Sequence, residues 1–261
     1  MQTIMKSVRY HQKLIFNRFK HMGDRYSCPI CSSDIDRFLP HGITSSVFEA
    51  NDVVGGGYRE LGICPACNST DRERLVYLFI KNELDLLGSG KRVLHVAPDP
   101  GLDRILSREP KIEYVTADLM AQNVMVKMDV TDIEFPDDTF DCILCNHVLE
   151  HVPNDLQAMR ELRRVLKPGG VAILQTPIAY SRKRTYEDSS ITSREDRILA
   201  FGQFDHVRLY GIDYFNRLSD AGFAVDPFDW KTADADYGMP DNRYGLNENE
   251  LMVAAVKPLL S

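Results

Sequence analysis

The chain has no apolar run approaching the roughly 18 residues that a bilayer-spanning helix needs, and its N-terminus lacks the continuous apolar stretch of a secretion signal. A cytoplasmic location is therefore expected. It has no excess of positive charge either: the formal net charge is −7, so no general attraction to nucleic acid is built in, and a polyanionic partner would need a local patch. Internal repeats and low-complexity tracts are absent, which excludes repeat arrays. Cysteines are few. In a reducing compartment the six present are read as metal ligands, core residues or nucleophiles before disulfides.

The 261 residues, 44% of them hydrophobic, suit one full α/β domain with a small appendage. Residues 1–27 carry Lys6, Arg9, Lys13, Arg18, Lys20 and Arg25 against the single acid Asp24. Within them Ile4, Val8, His11, Ile15 and Phe19 fall on one helical stripe, which predicts a basic amphipathic N-terminal helix. An ordinary docked helix is the plainest reading; a weak membrane-surface contact or an RNA contact stays open.

Residues 28–70 read as a small zinc-ribbon-like module. Cys28-Pro-Ile-Cys31 and Cys64-Pro-Ala-Cys67 are two Cys-x-x-Cys turns, and each can aim two thiolates at one point. Together they would close a tetrahedron around a structural Zn2+ with no open position for catalysis. So short a segment has little core, and metal binding would supply its folding energy. Cys142 and Cys145 share the spacing but sit in an apolar strand pattern, where an odd separation sends them to opposite faces; they are assigned to the core.

Residues 71–90 predict a connecting helix and linker. Thr70 and Glu73 form a capping box for a helix running through Leu75, Val76, Leu78 and Phe79 toward Leu87, and Gly88-Ser89-Gly90 follows. From Lys91 to the end, strands alternate with helices, the pattern of a parallel sheet covered on both faces. Strands are expected near 92–97, 112–117, 124–129, 140–145, 171–176, 223–228 and 251–256. One helix after Asn154 should bury Leu156, Met159, Leu162 and Leu166 and stop at Pro168-Gly169-Gly170; another should run from Ile212 through Leu218 to Gly222. The stretch 178–210 is too long for an ordinary connection and reads as a lid.

Several of these pieces, in this order, resemble the class I S-adenosylmethionine-dependent methyltransferases: Val93-Leu-His-Val-Ala-Pro-Asp-Pro-Gly101, Thr116-Ala-Asp-Leu119, Met128-Asp-Val130, Phe140-Asp141 through Glu150-His151-Val152, and Leu166-Lys-Pro-Gly-Gly170. The likeness is close over residues 91–175 and loose beyond. It implies an α/β, Rossmann-like seven-stranded sheet with helices on both faces, and S-adenosyl-L-methionine as cofactor. Ligands in such sheets sit beyond the carboxyl ends of the strands.

The resemblance assigns His95, Ala97, Asp99 and Gly101 to the first loop, Asp118 and Leu119 to the ribose, Asp129 and Val130 to the adenine, and Asn146 to the floor beneath the sulfonium. The first loop departs from the family, keeping only Gly101 of its glycines and carrying Pro98 and Pro100, so a stiffer path is expected, with Asp99 meeting the cofactor's ammonium group.

Methyl transfer needs the acceptor held in line with the leaving sulfur, and a hydroxyl acceptor must also lose a proton. His206, beside Asp205 in the lid, and His147, after the fourth strand, are the candidate catalytic histidines, Asp205 being placed to raise the basicity of His206. His151 reads as a packing or capping group. Lid residues Arg182, Lys183, Arg184, Tyr186, Glu187 and Asp188 could read a polar acceptor or be solvated surface.

Three functions stay open. The module-plus-domain pattern looks like methyltransferases of cell-surface polysaccharide and sugar modification, which implies O-methylation of a small-molecule or glycan acceptor. A bacterial ribosomal RNA guanine methyltransferase group also places a cysteine module before this fold, but the acidic balance speaks against RNA. A zinc-binding scaffold that kept the fold and lost the cofactor is the third.

Overall fold

The computed structural model describes residues 12–88 and 90–259. Its centre is a seven-stranded sheet: β1 (Arg92–Val96), β2 (Glu113–Asp118), β3 (Val126–Lys127), β4 (Phe140–Cys145), β5 (Leu166–Ile173), β6 (Ala224–Val225) and β7 (Ala254–Val256). In space they run β6-β7-β5-β4-β1-β2-β3, parallel from β5 to β3, with β7 antiparallel to both β5 and β6. The chain winds one way from β1 to β3 and the other way from β4. The crevice for a ligand therefore lies past the ends of β1 and β4.

Alternation along the strands builds two cores. Leu94, Val96, Ile143, Cys145, Ala172 and Leu174 face one apolar layer, while Val93, Cys142, Leu144 and Ile173 face the other. Cys142 and Cys145 thus divide between the layers as expected. Five helices accompany the sheet: α1 (Asp71–Asn82), α2 (Pro100–Leu106), α3 (Asp155–Val165), α4 (Arg194–Phe201) and α5 (Tyr214–Asp220). The capping box of α1 is complete, with the Glu73 amide donating to Thr70 Oγ1 at 3.2 Å and the Thr70 amide to Glu73 Oε2 at 2.6 Å. The helix ends at Asn82, short of the predicted Leu87.

The fifth strand begins earlier than the sequence predicts. α3 stops at Val165, and Leu166 already pairs with Phe140; the register then jumps to Val171 opposite Cys142. Lys167-Pro168-Gly169-Gly170 is therefore a bulge inside β5 and not a turn before it, because Pro168 lacks a ladder donor and Gly169 takes a positive φ of 77°. The third and sixth strands shrink to two residues each, and α5 starts at Tyr214 while Ile212 stays exposed.

The predicted N-terminal helix is described only from residue 12 to residue 20, and Ile4, Val8 and His11 lie outside the described residues. Ile15 and Phe19 of its stripe are 58% and 69% exposed, so this part is not docked on the core.

The stretch read as a lid is packed down. Ile178–Ala179 pairs antiparallel with Val53–Val54 of the cysteine module, and Tyr186–Glu187 pairs with Arg208–Leu209. Phe48 of the module presses on Gly202, where a Cβ would stand 2.3 Å from the Phe48 ring; only glycine fits. The segment clasps the module to the sheet domain. Arg74 does the same from α1: fully buried, it stacks 3.8 Å over Phe38 and donates to the carbonyls of Leu61, Ser69, Tyr244 and Gly245.

Candidate functional site

The two cysteine turns are near copies. In each, the residue after the second cysteine takes a left-handed backbone (Ser32 φ 54°, Asn68 φ 64°), and its amide donates 2.8 Å back to the carbonyl of the first cysteine. This curls both sulfurs of a turn to one side. The four Sγ atoms gather within 4.8 Å of one another, with Cys28–Cys67 at 3.7 Å and Cys31–Cys64 at 3.9 Å. Zinc–thiolate bonds of about 2.3 Å give tetrahedron edges of about 3.8 Å, so the donor set fits zinc.

Past the ends of β1, β2 and β4 lies a cavity of about 740 Å³, walled by Val96, Ala97, Asp118, Leu119, Met120, Met128, Asp129 and Val130 and bordered by His147, His151 and Asp205. Both acids are held by turns that leave one carboxylate oxygen unengaged. Asp118 Oδ1 accepts the amides of Met120 and Ala121, each at 2.6 Å. Asp129 Oδ1 accepts the Thr131 amide at 2.8 Å and its hydroxyl at 2.7 Å, and these bonds hold the carboxyl below its usual range. Apolar Leu119 and Met120, 60% and 76% exposed, stand at the rim. The combination of two fixed acids with apolar walls suits a nucleoside.

The first loop reaches this cavity by an unexpected means. Ala97 takes a φ of 47°, so an alanine adopts the left-handed backbone that a glycine would supply, at a cost of order 1 kcal/mol. Of the nine residues expected at the cofactor, Ala97, Asp118, Leu119, Asp129 and Val130 line the cavity. The other four do not: His95 lies in β1, Asp99 in the loop after it, Gly101 in α2 and Asn146 just after β4. His95 is fully buried, accepting the Asp99 amide at Nε2 (3.2 Å) and facing the Tyr114 hydroxyl with Nδ1 (2.8 Å). Asn146 donates to Asp99 Oδ2 at 3.2 Å, which together with His95 occupies the carboxylate expected to meet an ammonium group. Burial opposes ionisation of Asp99, yet His95, His147 and Asn146 outweigh it and hold the carboxyl below its usual range. The Gly101 amide donates to Glu73 Oε1 at 2.5 Å, and a Cβ there would sit 2.7 Å from the same oxygen. That glycine permits the approach of α1.

A second cavity, of about 380 Å³, shares His147 and His151 with the first. Its walls come from the cysteine module (His41, Gly42, Gly55, Gly56, Gly57, Arg59), α1 (Arg72), the turn after β4 (His147, Glu150, His151) and the lid (Gln203, His206). Sequence reasoning missed this cavity, because its walls are far apart in the chain and meet only through the clasp described above. The expected lid readers Arg182, Lys183, Arg184, Tyr186, Glu187 and Asp188 line neither cavity.

The turn Leu149–His151 is fixed from the lid. Buried Arg208 donates to the carbonyls of Leu149, Val152 and Pro153, and the Val207 amide donates to the Glu150 carbonyl. Glu150, His151 and His206 thereby bring one ligand-capable atom each within 4.8 Å of one another, a spacing that could also admit a divalent cation. Glu150 is buried, its Oε2 accepts the Thr176 hydroxyl at 3.0 Å, and its Oε1 stands 3.4 Å from His147 Nδ1. Burial opposes the charge on Glu150, but His147 first, then His151 and His206, bring its carboxyl down to about 2.

At His206 the pull of Asp205 is in the expected direction, but burial outweighs it. Burial pushes its imidazole down to about 4, against a smaller upward pull from Glu150 and a smaller one still from Asp205. Asp205 instead lies against His151: its carbonyl is 3.1 Å and its carboxylate 3.7 Å from His151 Nδ1. His151 is thus part of the cluster and not a helix cap. His147 takes a φ of 54°, and both its ring nitrogens are buried without a hydrogen bond.

The sequence profile of the methyltransferase domain matches residues 70–227. The chain belongs to the methyltransferase-domain family, whose cofactor is S-adenosylmethionine. A ubiquinone/menaquinone biosynthesis C-methyltransferase, UbiE, of Pseudomonas paraeruginosa is 37% identical over 108 residues, covering 34% of this chain and 42% of that protein. A demethylmenaquinone methyltransferase of Lysinibacillus sphaericus is 38% identical over 66 residues, 25% of this chain and 26% of that one. The matched segments thus span less than half of these relatives. Among solved structures, the 1,6-didemethyltoxoflavin-N1-methyltransferase of Burkholderia thailandensis, solved with S-adenosylhomocysteine, is 17% identical with a TM-score of 0.43, over 70% of this chain and 76% of that one.

Proposed function

We propose that the protein is an S-adenosylmethionine-dependent methyltransferase that O-methylates a small, polar, carbohydrate-like acceptor, with a structural zinc in its four-cysteine cluster. One observation carries this reading: two cavities, one suited to a nucleoside and one polar, share His147 and His151 as their common wall. S-adenosylmethionine, when bound, supplies an electrophilic methyl group on a sulfonium. Asp118 and Asp129 would hold its nucleoside. The acceptor enters from the second cavity and its hydroxyl reaches the methyl group where the two cavities meet, beside His147 and His151, so the enzyme's work is alignment. His206, neutral above about pH 4, takes the hydroxyl proton, and the Glu150 carboxylate beside it stabilises the imidazolium that forms. His147 borders both ligands and orients the acceptor.

The quinone acceptors named for the relatives are a poorer match. A prenylated quinone offers no charged group to the buried Arg59 Nη2, which has no hydrogen-bond partner. The reading is tested by incubating the purified, zinc-loaded protein with labelled methyl donor and fractionated cell extract. Label should enter the carbohydrate and nucleotide-sugar fractions, and His206→Gln should reduce incorporation at least 100-fold. Label confined to lipid or RNA fractions would refute the acceptor class.

A further inference from the structure

The second cavity holds more positive charge than proton transfer uses. Arg59, only 8% exposed, donates from Nε to the Asp71 carboxylate at 2.9 Å and from Nη1 to the Gly57 carbonyl at 2.8 Å, while its Nη2 is buried with no hydrogen-bond partner. Arg72 donates from Nη1 to the Gly55 carbonyl at 3.0 Å and pairs with no carboxylate among the described residues. A buried guanidinium N–H without a partner is costly, and its geometry matches the two oxygens of a carboxylate or phosphate.

The neighbouring charges leave room for an anion. Asp71 is bound to Arg59, Glu150 faces His147, His151 and His206, and Glu250, behind Gly55, is pushed up to about 7, mainly by burial. His41, on the same wall, is held below its usual range by burial and then by Arg59 and Arg72.

We infer that the acceptor carries an oxyanion, a carboxylate or a phosphate, which Arg59 and Arg72 hold while its hydroxyl faces the histidines. This rests on the assignment of the second cavity to the acceptor. It also gives the cysteine module a task in the chemistry, since Arg59 and Gly55–Gly57 belong to it: the module carries half of the substrate site.

The test is calorimetry on the full zinc-loaded chain with glucuronate, glucose 6-phosphate and uncharged glucose, each with S-adenosylhomocysteine present. At least one charged sugar should bind ten-fold or more tightly than glucose, the pair showing whether carboxylate or phosphate is preferred. Arg72→Gln should abolish that preference and leave S-adenosylhomocysteine binding unchanged. Arg59→Gln could perturb folding through Asp71, so the half-exposed Arg72 is the decisive variant. Equal binding of charged and neutral sugars, no binding of any, or a preference unaltered in Arg72→Gln would overturn the inference. Loss of S-adenosylhomocysteine binding by the wild-type protein would instead count against the methyl-donor reading and leave the anion site standing.

Discussion

The sheet domain and the cysteine module are built on opposite terms. The sheet buries two continuous apolar layers, one on each face, and its strands hold their places through dozens of side chains. The module's own buried cluster is Cys28, Ile35, Phe38, Cys64 and Cys67, three of them cysteines. What holds it is specific: four sulfurs, the Arg74 bonds and the apolar clasp through Phe48 and Gly202. The difference teaches that the sheet is held by packing spread over many side chains, while the module depends on a few specific contacts.

The largest expected effect follows from removing metal. Chelator treatment, or Cys64→Ser, should abolish hydrogen-exchange protection over residues 28–67 while β1, β4 and β5 keep theirs, because metal binding replaces a missing core. Protection that persists in the module without metal would break the comparison. Next comes Arg74→Met, which removes four bonds to buried carbonyls and should cost about 3 kcal/mol or more of stability in denaturant unfolding, loosening the module and residues 244–245 together.

A smaller, pH-dependent effect belongs to Glu250. Its folded pKa of about 7 stands above its ordinary 4.5, so its contribution to stability is fully present below pH 4.5 and is lost as pH rises through 7. Glu250→Gln keeps the acceptor oxygen for Gln175 and should raise Tm by several degrees at pH 8 but not at pH 4.5. An equal gain at both pH values would show that charge is not the cause.

The same division explains what could be read from sequence. Period-two alternation in Val93–Val96 and Cys142–Cys145 and the Thr70–Glu73 box are local signals, and they placed the sheet, both core cysteines and the start of α1. The placement of Asp118 at the carboxyl end of β2 and of Asp129 two residues past β3, both lining the larger cavity, follows the expected strand order. The environment of His206 was not legible, since Asp205, its neighbour in sequence, turns to His151 and burial dominates. Nor could the roles of Glu150, Arg59 and Arg72 be read, because a cavity between a zinc-type module and a lid exists only once Arg74, Arg208 and Gly202 have joined them. The hydrogen bonds of His95 to Tyr114 and of Gly101 to Glu73 could not be read either, since both partners are distant in sequence.

The account depends on the methyl donor lying against Asp118 in the larger cavity. Isothermal titration of S-adenosylhomocysteine into the zinc-loaded protein and into Asp118→Ala measures this directly. The wild type should bind one equivalent, and the variant at least ten-fold more weakly with an unchanged Tm. Equal affinity in the two proteins, or no binding to the wild type, would contradict it.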